Sequence, residues 1–98
     1  MGVKVMKRIK RELVEELYAI SVEWQRLFQE SGLITTEEVR VQESKLSSKR
    51  REIEDLFSPK DYAIGCLITG ITEDIVFAGL SISRLIKCLD VCGIEVVE

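Results

Sequence analysis

Apolar side chains recur at Met6, Ile9, Leu13, Leu17, Ile20, Trp24 and Leu27, in steps of three or four. Such steps return to one face of a 3.6-residue helix, so the pattern predicts an amphipathic helix from about Lys4 to Glu30. Ser31-Gly32-Leu33 then supplies a glycine stop followed by an apolar residue. Thr35-Thr36-Glu37-Glu38 opens a second helix, with Thr35 as cap and Glu38 reaching back in a capping box. The stripe of this helix, Val39, Leu46, Ile53 and Leu56, is thinner, because Gln42 and Lys49 take the intermediate positions before Phe57.

A short connection makes the two helices antiparallel. Setting Leu27 or Phe28 against Val39 places Ile20 opposite Leu46 and Leu13 opposite Ile53. The same register brings Arg50 and Arg51 beside Glu15 and Glu16, and Asp55 beside Arg11.

The pattern changes at Ser58-Pro59. Ser58 as cap with Pro59 at the first helical position predicts a third helix, in which Ile64, Leu67, Ile68 and Ile71 keep helical spacing. Gly65 and Gly70 weaken that pattern, and Tyr62 to Thr69 also fits a short buried strand; the start signal favours the helix. Thr72 can cap a further helix, with Glu73 and Asp74 at its positive end. Two readings follow. One is a continuous helix from Glu73 to Cys92 with the stripe Ile75, Gly79, Ile82, Ile86 and Leu89; the other breaks at Gly79-Leu80-Ser81. Gly93 then stops the helix, and Ile94-Glu95-Val96-Val97 fits a short strand.

These patterns predict a mainly α fold in one domain of 98 residues. A long antiparallel helical hairpin over 4–57 precedes two or three shorter apolar helices over 58–98. The alternative is an α+β fold with parallel strands near 62–69 and 94–97. In the helical reading, the packing and oligomer face is formed by Ile20, Trp24 and Leu27, then Val39, Leu46 and Ile53. Ile64, Leu67, Ile68, Ile75, Ile82, Ile86 and Leu89 continue it.

Charge sharpens the division at Ser58. Residues 1–57 hold 11 Lys/Arg and 11 Asp/Glu, whereas residues 58–98 hold 3 and 6. A charged helical half followed by an apolar half suits a scaffold joined to a docking surface. The whole chain carries −3 and has a pI near 5.1, which argues against general electrostatic affinity for nucleic acid or anionic membrane. The clusters Lys7-Arg8-Ile9-Lys10-Arg11 and Lys49-Arg50-Arg51 are better read as a solvated, partly paired helix face than as a nucleic-acid patch.

Candidate chemistry is sparse. Histidine is absent, which removes the commonest general base and the commonest metal ligand together. Cys88 and Cys92 share a helical face, but a metal site needs further ligands, and small apolar core residues are the simpler role. Glu73 and Asp74 stand in the most apolar region, where a helix start accounts for them. No glycine-rich phosphate loop or serine elbow is present. We therefore expect no enzyme activity, no cofactor and no bound metal. Tyr62 to Ser83 is long enough to span a bilayer, but an acid near its centre costs about 2.5–3.5 kcal/mol, so no membrane span is expected. With no apolar core after the basic start and an odd number of cysteines, the expectation is a cytoplasmic chain with reduced thiols.

The broken version of 72–92 resembles a helix-turn-helix, with Ile82 to Leu89 as reading helix and Ser81, Ser83, Arg84 and Lys87 as DNA contacts. Two departures weigh against it: one residue too few between Ile75 and Gly79, and only two cations on that helix. The leading expectation is a non-enzymatic interaction or assembly module, an adaptor or regulator that partners itself and a further protein. The alternative is a DNA-binding transcriptional regulator that dimerises through the hairpin.

Overall fold

The computed structural model describes residues 7–31 and 37–98. Their order is strand β1 (Lys7–Lys10), helices α1 (Arg11–Ser31), α2 (Glu37–Phe57), α3 (Tyr62–Phe77) and α4 (Ile82–Val91), and strand β2 (Ile94–Val97). The chain is thus mainly helical, with β1 and β2 paired in a small parallel sheet. The glycine stop at Gly32 and the Thr35 capping box lie outside the described residues, as do Lys4 and Met6.

The long hairpin forms, but its first helix begins at Arg11 rather than near Lys4. Lys7–Lys10 is extended instead, with Lys7 beside Ile94 and Ile9 beside Val96. Ile9 fits both periods: it continues the helical stripe, and it is the buried residue of an alternating strand. This strand lead-in rotates α1 from its expected face. The buried ridge becomes Val14, Leu17 and Ser21, while Leu13 and Ile20 pack at its side.

The predicted ion-pair partners also change. Lys49 reaches Glu16 at 3.3 Å and Glu52 at 3.1 Å, while Arg50 turns to Glu73 on α3. Arg11 pairs with Glu15 and Glu98 instead of Asp55. Lys49 occupies an intermediate seam position and therefore faces α1, which leaves Arg50 directed toward the third helix. Burial works against the Lys49 ammonium, but hydrogen bonds with Glu52 and Glu16 outweigh it and hold the group above its ordinary range.

Residues 62–69 are helical, and the strand at 94–97 pairs with β1 instead of with them. Ser58-Pro59 does not start α3, because the chain is still completing α2: the Ser58 N–H donates to the Glu54 carbonyl and the Asp61 N–H to the Phe57 carbonyl. Asp61 takes the N-cap position of α3 without a side-chain cap bond. Its carboxylate lies 2.7 Å from Lys7 Nζ, so it is committed to β1. Gly65, which weakened the helical reading, is what lets α3 approach α2. A Cβ there would stand 2.6 Å from the Glu54 Cα.

Thr72 does not begin a new helix. It is fully buried inside α3, and its hydroxyl donates to the Ile68 carbonyl at 2.8 Å, a bond that satisfies it without a cap. Glu73 and Asp74 consequently lie within α3, near its C-terminal end. The continuous reading of 73–92 also fails, because α3 ends in a Schellman motif. The Leu80 N–H donates to the Ile75 carbonyl, the Gly79 N–H donates to the Val76 carbonyl, and Gly79 has φ of +73°. The Tyr18 hydroxyl donates to the Leu80 carbonyl at 2.8 Å and fastens this turn to α1. Gly93 repeats the device at the end of α4, with φ of +85° and its N–H on the Asp90 carbonyl.

One apolar core gathers residues from every element: Ile9 of β1, Val14 and Leu17 of α1, Leu46 and Ile53 of α2, Ile68 and Ile75 of α3, Leu85 and Leu89 of α4, and Ile94 of β2. Neither half encloses these side chains alone.

Candidate functional site

Burial separates the expected packing residues into three groups. Val39, Leu46, Ile53, Ile68, Ile75 and Leu89 are buried; Ile20, Trp24, Leu27, Ile64, Ile82 and Ile86 are partly covered. Leu67 is exposed at 41%, outside the core. The Schellman turn sets this division on the C-terminal side. It redirects α4 so that Leu85 and Leu89 point inward, and Leu85 replaces Ile82 and Ile86 as the deepest contact.

The same turn creates a groove between α3 and α4. Ile71, Asp74 and Ile75 line one wall, and Arg84, Lys87, Cys88, Val91 and Cys92 line the other, around a shallow volume of about 490 Å³. On α3, Leu67, Ile71 and Asp74 stand in a row at i, i+4 and i+7; on α4, Arg84, Cys88 and Val91 repeat that spacing. Val91 is 77% exposed. Asp74 lies shortly before the turn and Arg84 shortly after it, so the charges gather at the turn end and apolar side chains continue beyond them. Among the described residues, Asp74, Arg84 and Lys87 have no ion-pair partner.

The proposed DNA contacts fall on this rim. Ser81 is the N-cap of α4, and Ser83, Arg84 and Lys87 are exposed beside it. The two N-terminal basic clusters are largely engaged. Lys7 pairs with Asp61, Arg8 with Glu95, Arg11 with Glu15 and Glu98, Lys49 with Glu16 and Glu52, and Arg50 with Glu73.

A second cleft, of about 450 Å³, lies where α1, α2 and α3 meet, lined by Trp24, Leu46, Val76 and Phe77 with Ser21 and the Arg50–Glu73 pair. Ser21 Oγ and Trp24 Nε1 are buried here without a hydrogen-bond partner among the described residues. Trp24 stacks on Phe28 with ring centroids 5.2 Å apart, and Phe77 at the cleft edge is 77% exposed.

All three cysteines are unpaired, and no group of three or more metal-ligating side chains occurs among the described residues. The Tyr62 hydroxyl is held above its ordinary range, chiefly by hydrogen bonding with Cys66, whose thiol lies 3.9 Å from Glu54 Oε2. Among the described residues no helix is long and apolar enough to cross a membrane.

Sequence reasoning missed the groove because it weighed the break at Gly79-Leu80-Ser81 only as the turn of a helix-turn-helix. That same break sets α4 at an angle that brings Arg84, Cys88 and Val91 to face Ile71 and Asp74 across the groove. Comparison with family models, curated proteins and solved structures gave no match for this chain.

Proposed function

We propose that this chain is a non-enzymatic interaction or assembly module, an adaptor or regulator that acts as a homo-oligomer in the cytoplasm. The observation that carries this reading is the apolar surface left on a finished core. Leu67, Phe77 and Val91 stay exposed although every element already contributes to the interior. Isolated exposed apolar residues are ordinary, but Val91 lines the groove between α3 and α4 and Phe77 the edge of the second cleft, and open apolar side chains at clefts suit an association surface. Sedimentation equilibrium tests the reading: a reversible dimer or higher species at micromolar concentration is expected, and a monomer throughout that range overturns it.

A second reading, a helix-turn-helix regulator of transcription, is favoured by one observation. The chain breaks at the proposed turn and leaves Ser81, Ser83, Arg84 and Lys87 exposed. Its electrostatic footprint is poor, since Asp74 shares the groove with the two cations. Salt-dependent retardation of duplex DNA that is lost in Arg84→Ala or Lys87→Ala is its signature.

A further inference from the structure

The groove between α3 and α4 carries both signs of charge around an apolar floor, and that combination suits a surface meeting its own copy. Resting on the homo-oligomeric reading above, we infer that a second copy of this chain occupies the groove, through a two-fold axis running along it. Such an axis exchanges the two walls, so α3 of each protomer lies over α4 of its partner at the same height along the groove. Asp74 then meets the partner's Arg84 and Lys87, and this contact forms twice because a two-fold interface is isologous. Ile71, Cys88 and Val91 meet apolar side chains at the other end.

The charge arrangement selects this occupant. In the isolated chain Asp74, Arg84 and Lys87 lack ion-pair partners among the described residues, although they line the same groove. A nucleic acid would be drawn to the two cations and repelled by Asp74. An acidic or a basic peptide would be opposed by one wall. A second copy matches both walls, and it covers Val91, which is 77% exposed in the single chain.

Sedimentation equilibrium on the full chain tests the assignment, with circular dichroism to verify that each variant keeps its helices. Val91→Asp and Asp74→Arg change exposed side chains, so both should fold. Asp74→Arg places like charges across the interface and is expected to weaken dimerisation about a hundredfold. The charge-reversed chain, Asp74→Arg with Arg84→Glu and Lys87→Glu, is expected to regain self-association and to pair poorly with the unmodified chain.

If the unmodified chain dimerises and Val91→Asp and Asp74→Arg dimerise equally well, this groove is not the interface, although the homo-oligomeric reading stands. If the unmodified chain is monomeric at micromolar concentration, the inference and that reading fall together. If instead it retards duplex DNA and Arg84→Ala abolishes the shift, the cations serve phosphate and the inference is overturned.

Discussion

The hairpin and the C-terminal half differ in how far charge pairs cover their surfaces. On α1 and α2 exposed Val22, Val41 and Leu56 stand among acids and bases that answer one another: Arg26 lies between Glu23 and Glu30, and Lys49 between Glu16 and Glu52. On α3 and α4 the exterior retains Leu67, Phe77 and Val91. Among the described residues, four ion pairs join the two regions, and all run one way. Lys7, Arg8, Arg11 and Arg50 supply the cations, and Asp61, Glu95, Glu98 and Glu73 supply the acids. The neutral N-terminal portion thus lends positive charge to an acidic C-terminal portion, whose own Arg84 and Lys87 remain uncommitted. The difference teaches that charge balance in this chain is settled between regions, and the proposed association draws on the region with fewer charges.

The strongest way to break this comparison is to make a cavity on either side. Ile53→Ala in the hairpin and Leu89→Ala in the C-terminal half should each cost about 2–5 kcal/mol. Because one core spans every element, urea unfolding followed by circular dichroism should shift as a single transition in both variants. Two separate transitions would mean that the regions fold independently.

The joint between them can be tested with glycine. Gly65→Ala drives a Cβ into the Glu54 backbone, and such overpacking should destabilise the fold by about 1–3 kcal/mol. Gly70→Ala meets no atom within 4 Å, so its better helix propensity should stabilise by up to about 1 kcal/mol. Opposite signs in thermal melts are the expected result, and a gain from both would show that α2 and α3 are not in close contact at Gly65.

A smaller effect is expected from Tyr18→Phe, which removes the hydrogen bond holding the Schellman turn to α1 and should cost about 1 kcal/mol. Amide exchange should then rise at Gly79 and Leu80 more than in the hairpin. Smallest of all is the effect of salt. The pairs joining the regions are partly exposed, and each is worth about 1 kcal/mol or less, so Glu95→Gln should leave the urea midpoint nearly unchanged.

Much of this architecture could be read from the residues. The helical hairpin, the stripe of α2, one of the two readings at Gly79 and the stop at Gly93 follow from local periodicity and backbone preference, whereas the buried ridge of α1 does not. The β1 strand could not be read in this way, because Ile9 satisfies both periods and its partner lies at the other end of the chain. Thr72 misled for a related reason. Its hydroxyl has two local uses, capping and back-bonding, and burial between Ile68 and Ile75 selects the second. The groove between α3 and α4 was legible only in part: Arg84 and Lys87 stood out as charges, but Asp74 and Val91 reach its walls through the angle that the turn imposes.

The pairing of Lys7 with Ile94 encloses all four helices in one long loop. Closing such a loop costs chain entropy that a two-stranded ladder repays poorly by itself. The expectation is that the helices assemble first, with the strands zipping together late in folding. Protection of the Ile94–Val97 amides is then a sensitive gauge of whether the whole fold is in place.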